Sequence, residues 1–356
     1  MKRIFNVAVV ALIAGAMAVG CCNGNKTITK GSSSKIDTLS YAMGANLGEF
    51  VTTRIADIPF NFSQLEKGIK QGAFDNGKWS FEEAQEVFQS LIGPVNERFG
   101  QLMRQKQDTT AVAEPIQIFV SEGERDSLSY AYGYNIGHDL RDGSVAIQLN
   151  SYLKGFQQTR NGEGIMSAEE TNEYLQHFFM VTLPEQELAK SEAWLSKMEK
   201  KSGVQKSESG LLYKVVNEGD VSKSATDDRD EVTVHYTGRD RDGKVFDSSI
   251  FKNMPKQRQE MMRQYQPDNF DEKGNIIENE PVTFALNRVI KGWTEGMKLV
   301  GPGGKIILYI PAELAYGPRG NQAIAPNAAL EFEVELVDVK PFVDPAAAEA
   351  TEQVAE

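Results

Sequence analysis

Cysteine is almost missing: the 356 residues hold two, side by side at Cys21 and Cys22. With no thiol anywhere downstream, no disulfide can staple the fold, even in an oxidising compartment that would permit one. Basic clusters are few and the net charge is −12, which argues against phosphate neutralisation as a task and against nucleic acid as a partner. Long hydrophobic runs are missing too. The only candidate, Val7 to Gly20, is too short for a comfortable membrane span. The length itself exceeds one ordinary core and implies two or three domains.

What stands at the front has its own logic. Lys2 and Arg3 precede the apolar run, and "AVGC" closes it at Cys21. That is the order of a signal peptide over residues 1–20, and its end resembles a bacterial lipobox, which implies cleavage before Cys21 and acylation of its thiol. The alternative is an ordinary secretory peptide with incidental cysteines. Residues 21–35 are polar and without apolar pattern, a tether. No acidic residue precedes Asp37, so no acidic export tract follows the cysteine. The expected location is the cell envelope, anchored by lipid in the outer membrane and facing the periplasm.

Beyond the tether one short segment occurs twice. "DTLSYAMGANLG" at 37–48 recurs as "DSLSYAYGYNIG" at 126–137, with eight of twelve positions identical. Leu39, Met43, Leu47 and Phe50 fall on one helical face. Gly44 and Gly48, matched by Gly133 and Gly137, form a neighbouring stripe. Glycine costs a helix roughly 1 kcal/mol against alanine, so its repetition points to another helix packed close. Lys67-Gly68 recurs as Lys154-Gly155. Ser80 and Ser167 each stand three residues before a glutamate, the capping-box spacing that opens a helix. Pro94 and Pro184 should break or bend the third helices. The pattern gives two three-helix units, 36–104 and 125–204, the latter ending in a charged stalk helix over 186–202, with a linker at 105–124. Two repeats are too few for a solenoid.

The doubled motif resembles the N-terminal dimerisation module of the macrophage infectivity potentiator class of bacterial isomerases, in which one unit per chain interlocks with a second chain. Two units in one chain imply an internal pseudo-dimer about an approximate two-fold axis. Exchange between chains to give a homodimer is the rival.

From 205 to 341 the period changes to strands: "EVTVHYTG", "KIILYIP" and "ALEFEVELVDV" alternate or run β-branched, with one short helix near Trp293. Residues 342–356 carry no apolar face and read as a disordered tail. Five segments, "VHYTG", "DGKVFDSS", "VIKGWTEGM", "AYGPRG" and "IAPNAALEFEVEL", together resemble an FKBP-type peptidyl-prolyl isomerase. The fold class implied is α+β multidomain, the helical module followed by an antiparallel sheet wrapped on a short helix.

The resemblance implies an apolar aromatic pocket that binds X-Pro and stabilises the twisted amide. Rotation about that bond faces a barrier of about 18–20 kcal/mol from conjugation, and differential binding of the twisted form lowers it without metal, cofactor or nucleophile. The catalytic set implied is Asp247, Tyr316 and the backbone N–H of Ile290. The substrate walls implied are Tyr236, Phe246, Phe284, Val289, Trp293, Ile324 and Phe332, with Trp293 as floor. Phe284, Val289, Ile324 and Phe332 serve equally well as plain core, and Asp247 as a turn residue. His235 points away from Tyr236 along the strand and is not assigned to the site. The implied partners are proline-containing unfolded or exported proteins, with rapamycin-type macrolides as inhibitors. A holdase chaperone with little isomerase activity is the competing class. Between Ser249 and Pro281 lies a long polar segment in which Pro255 could open a helix bearing Met261, Met262 and Tyr265. It reads either as a flap beside the pocket or as a tolerated surface insertion.

Overall fold

The computed structural model describes residues 28–32, 34–107, 115–143, 145–321 and 323–343. The expected signal peptide, the lipobox cysteine Cys21 and residues 344–356 lie outside the described residues. The chain divides into two compact units between Val181 and Thr182.

The first unit is helical: α1 (Thr38–Thr53), α2 (Phe62–Phe74), α3 (Phe81–Gln107), α4 (Glu122–Asp142), α5 (Leu149–Arg160) and α6 (Ala168–His177), with a π-helical turn at Phe178–Thr182. Two short parallel strands, β1 (Ile28–Thr29) and β2 (Ile147–Gln148), pair beside them. Both capping boxes form. Ser80 and Ser167 accept the amide N–H of Glu83 and Glu170 at 3.2 Å, and each glutamate accepts the serine amide in return at 2.8 Å.

The copies do not fold separately. α1 packs along α5, and α2 along α4, so each copy's first helix lies on the second helix of the other. The glycine stripes are where the backbones meet. A Cβ at Gly44 would stand 1.8 Å from the Tyr152 carbonyl oxygen, and one at Gly155 would stand 2.1 Å from that of Tyr41. At the other crossing, a Cβ at Gly133 would stand 2.0 Å from the Leu65 carbonyl oxygen and one at Gly68 would stand 2.2 Å from that of Tyr130.

The Ser-Tyr pair in each repeat serves the opposite copy in the same way. Ser40 Oγ accepts the amide of Gln148, just ahead of α5, at 2.8 Å, while Ser129 Oγ accepts that of Asn61, just ahead of α2, at 2.9 Å. The hydroxyls of Tyr41 and Tyr130 accept the amides of Ile165 and Lys78, in the loops leading to α6 and α3. All four side chains are fully buried, and every one of these bonds satisfies a backbone donor.

Pro94 does not break its helix, since Phe81–Gln107 runs through it. The proline and Ser90, whose carbonyl loses its donor, are both exposed, so water can take that bond. The preceding residue is Gly93, which has no Cβ to clash with the ring. Pro184 instead stands in the first turn of a new helix, α7 (Leu183–Glu199).

The second unit contains α7 and a sheet of seven strands: β3 (Gln205–Lys206), β4 (Leu212–Asn217), β5 (Glu231–Asp240), β6 (Val245–Ser248), β7 (Val282–Ala285), β8 (Lys305–Ile310) and β9 (Leu330–Lys340). Their order is β3-β4-β8-β9-β5-β6, with β7 also on β5, and every pairing is antiparallel. A short helix, α9 (Lys291–Gly296), packs on β8, and Trp293 and Met297 enter the core. The inserted segment folds into α8 (Lys256–Tyr265), which begins just after Pro255 as its position suggests. Below α8 the insertion has a small core of its own: Phe251 meets Phe270 with ring centroids 5.0 Å apart, and the Arg263 guanidinium lies over both rings.

Helix α7, read from the sequence as a stalk, packs on the sheet unit. Glu187, only 5% exposed, pairs with Arg241 at 2.6 Å. Ser191 Oγ donates to the Asn327 carbonyl at 2.8 Å and accepts the Ala329 amide at 3.0 Å. Trp194 meets Tyr309 edge-on at 5.7 Å.

Candidate functional site

The site grows from the alternation of β5. Val232, Val234 and Tyr236 point inward and are buried, while His235 takes the opposite face, as period two requires. β6 pairs with β5 so that Gly238 stands opposite Asp247. A Cβ at Gly238 would lie 2.7 Å from the Phe332 ring and 2.8 Å from that of Phe246. Glycine here lets two aromatic side chains, one from β9 and one from β6, meet over the strand at 5.5 Å.

Trp293 sits at the centre. Tyr236, Phe284 and Phe332 approach its indole at 5.3, 5.7 and 5.3 Å, all nearly perpendicular, the edge-to-face geometry that aromatic quadrupoles favour. Trp293 is 4% exposed, and its indole N–H is buried without a protein acceptor among the described residues. Around it, Phe246, Phe284, Val289 and Ile290 are half-buried and pack on the same core, whereas Ile324 and Phe332 are buried within it. All the apolar positions singled out in the sequence therefore meet in one place, with a partly open rim.

The polar groups are arranged on that rim. The Tyr236 hydroxyl donates to Asp247 Oδ2 at 2.6 Å, and Asp247 Oδ1 accepts the Ser248 amide at 2.9 Å. Burial, reinforced by the neighbouring carboxylate, pushes the Tyr236 phenol well above its ordinary range, so it remains a donor. Tyr316 is 39% exposed. Its phenol is also raised, by burial and then by the charge of Asp247, which sets it within electrostatic reach of that carboxylate. Ile290 caps the start of α9. Its carbonyl accepts the amides of Trp293 and Thr294, and its own N–H is given to no protein group among the described residues.

One residue the sequence reading missed is Arg258. It lies on α8, and its guanidinium pairs with Asp247 Oδ1. The carboxylate thus has three protein partners: a phenol, a backbone amide and an arginine supplied by the insertion. Only the position of a cationic residue shortly after Pro255 hinted at it.

Residues 222–337 match the model of the FKBP-type peptidyl-prolyl cis-trans isomerase, and residues 125–215 match that of the domain amino-terminal to it. FkpA of Escherichia coli, an FKBP-type peptidyl-prolyl cis-trans isomerase, is 33% identical over 60% of this chain and 75% of its own length. The outer membrane protein MIP of Legionella longbeachae is 31% identical over 61% of this chain and 86% of its own. The crystal structure of Escherichia coli FkpA aligns at 36% identity over 53% of this chain and 80% of that one, with a TM-score of 0.37. Because the Escherichia coli and Legionella proteins are each more than 30% identical and covered over 75% and 86% of their own lengths, the chain belongs to the FKBP-type peptidyl-prolyl cis-trans isomerases.

Proposed function

We propose that this isomerase acts on X-Pro bonds of exported polypeptides by seating the proline ring on Trp293 within the Tyr236, Phe246, Phe284, Val289, Ile324 and Phe332 walls. The observation that carries the reading is the free donor geometry around an apolar floor. Among the described residues the Ile290 N–H has no protein acceptor, and the raised Tyr316 phenol keeps its proton. Substrate carbonyls flanking the rotating amide would take these two donors. Removal of water weakens amide resonance, because the planar form carries the larger dipole, and the fixed donors favour the twisted form. Asp247 would turn its carboxylate toward the rotating carbonyl carbon, a reading supported by the hold that Tyr236, Ser248 and Arg258 have on it. No bond is made or broken.

A protease-coupled proline tetrapeptide assay tests the assignment. Asp247→Ala and Tyr316→Phe should each lower kcat/KM about tenfold while thermal unfolding stays nearly unchanged. Full activity in both variants would refute these roles. Rapamycin-type macrolides should compete for the same walls.

The same proposal places the enzyme in the envelope, tethered through an acylated Cys21; the expected tether over 21–35 is shorter than its polarity suggests, because Ile28 and Thr29 pair with β2 and Ile28 is buried. The name of the Legionella relative, an outer membrane protein, supports that location. Intact mass of the extracted protein should carry the acyl groups, and Cys21→Ser should abolish them. The reciprocal α1–α5 and α2–α4 packing within one chain supports a monomer with one isomerase domain. Light scattering giving a concentration-independent mass of two chains would refute it.

A further inference from the structure

The insertion after β6 is more than a spacer. α8 reads "KQRQEMMRQY", and its two faces do different things. Gln259 donates to the Met254 carbonyl at 2.8 Å, and Arg263 covers Phe251 and Phe270, so that side rests on the insertion's own core. At 100° per residue, Arg258, Met261 and Tyr265 fall within an arc of roughly 60° on another side. Arg258 fixes where that side points, because its guanidinium pairs with Asp247 at the rim of the proline site. On the same stripe Met261 is 53% exposed and Tyr265 71% exposed. Apart from half-buried Met262 the rest of the helix is charged and amide side chains, and Met261 and Tyr265 stand where polar residues would cost nothing.

We propose that this stripe is an extended client surface: Met261 and Tyr265 hold apolar side chains of unfolded polypeptide adjoining the proline that occupies the pocket. The inference rests on the isomerase reading of that pocket. From Arg258 to Tyr265 the helix advances about 10 Å, a distance an extended chain covers in about three residues. A polypeptide threaded through the site therefore meets the stripe a few residues from its proline, while a short peptide ends before reaching its far end. Methionine's flexible, polarisable thioether suits side chains of varied shape, and tyrosine offers a large rigid face at low entropic cost. Arg258 makes the surface continuous with the site.

The test compares two substrates on the full chain: a proline tetrapeptide, and a small protein whose refolding is limited by one prolyl isomerisation. For Met261→Ser/Tyr265→Ser the ratio of kcat/KM on the protein to kcat/KM on the tetrapeptide should fall about tenfold, and Met261→Leu/Tyr265→Phe should restore it. A ratio unmoved by the serine pair, or one the apolar pair fails to restore, overturns the proposal. A change of molecular mass in the serine variant would assign the stripe to self-association and overturn it as well. If the wild-type chain does not turn over the tetrapeptide at all, it is the isomerase reading that fails.

Discussion

Gly44→Ala adds a single methyl group where the α1–α5 crossing has no room for it. The new Cβ would lie 1.8 Å from the Tyr152 carbonyl oxygen and 2.7 Å from its carbon, with Phe156 N at 3.0 Å. All three are backbone atoms of a helix, so no rotamer change relieves the clash. Ordinary contact begins near 3.4 Å, and the two helices must part by about 1.5 Å. Overpacking of this kind costs typically 1–3 kcal/mol, and an unyielding backbone puts the case at the upper end. Alanine returns about 1 kcal/mol of helix propensity, leaving a net loss of about 2 kcal/mol. For a unit of this size that corresponds to about 4–8 °C in melting temperature. Circular dichroism melting of the chain, with the helical transition followed at 222 nm, reads it. Gly100→Ala is the control, because its Cβ would meet only the end of the Arg104 side chain at 3.5 Å. It should gain a few tenths to 1 kcal/mol. Two double variants sharpen the argument. Gly44→Ala with Gly155→Ala loads one crossing twice and should lose less than the sum, whereas Gly44→Ala with Gly133→Ala loads both and should be additive. An unchanged or raised melting temperature in Gly44→Ala would refute the close-packing explanation of the repeated glycines.

Other consequences follow from the sheet unit. Trp293→Ala should cost about 3–5 kcal/mol in urea unfolding and abolish activity, since it empties the centre of four packed rings; a stable, active variant would remove Trp293 from both roles. Arg258→Ala should lower tetrapeptide kcat/KM two- to fivefold, with a smaller loss for Arg258→Lys, as expected for an exposed ion pair of about 0.5–1 kcal/mol. Equal activity in all three proteins would show that Asp247 does not need its arginine. Glu187 supplies a pH test. Burial raises its carboxyl pKa, but Arg241 and then Lys190 more than offset this and hold it below the ordinary value. A depressed carboxyl contributes stability at neutral pH that is lost as pH falls through the acid range below about 4. Arg241→Ala should therefore cost about 3 kcal/mol at pH 7, with the gap to wild type narrowing towards pH 3. A gap independent of pH would mean the pair does not stabilise α7 on the sheet.

The parts of this molecule that were legible in its sequence are those encoded locally or in fixed order. The capping serines, the glycine stripes and the aromatic segments around Tyr236, Phe246 and Trp293 announce themselves through spacing. The exchange of helices was implied by the family resemblance and not legible in the spacing itself. Gly44 would read the same whether it met its own copy's second helix or the other copy's, because both present lysine-glycine at the matching place. Arg258 escaped for a different reason. Its partner is eleven residues away through an irregular loop, and no periodicity ties them together. Pro94 misled because its effect depends on what surrounds it, an exposed carbonyl and a preceding glycine, rather than on proline alone.

The covalent joining of two interlocked copies also changes what substitution can do. Where two identical chains interlock, each replacement lands at both ends of the two-fold axis, and a residue that suits one side must be tolerated on the other. In this chain the halves are free to differ, and they have done so. α3 runs for 27 residues and lays Phe88 on Tyr132, whereas its counterpart α6 ends after 10, and Met43 stands where the second copy has Tyr132. One half can specialise as a brace and the other as a lead into the catalytic unit, a division of labour closed to a symmetric pair.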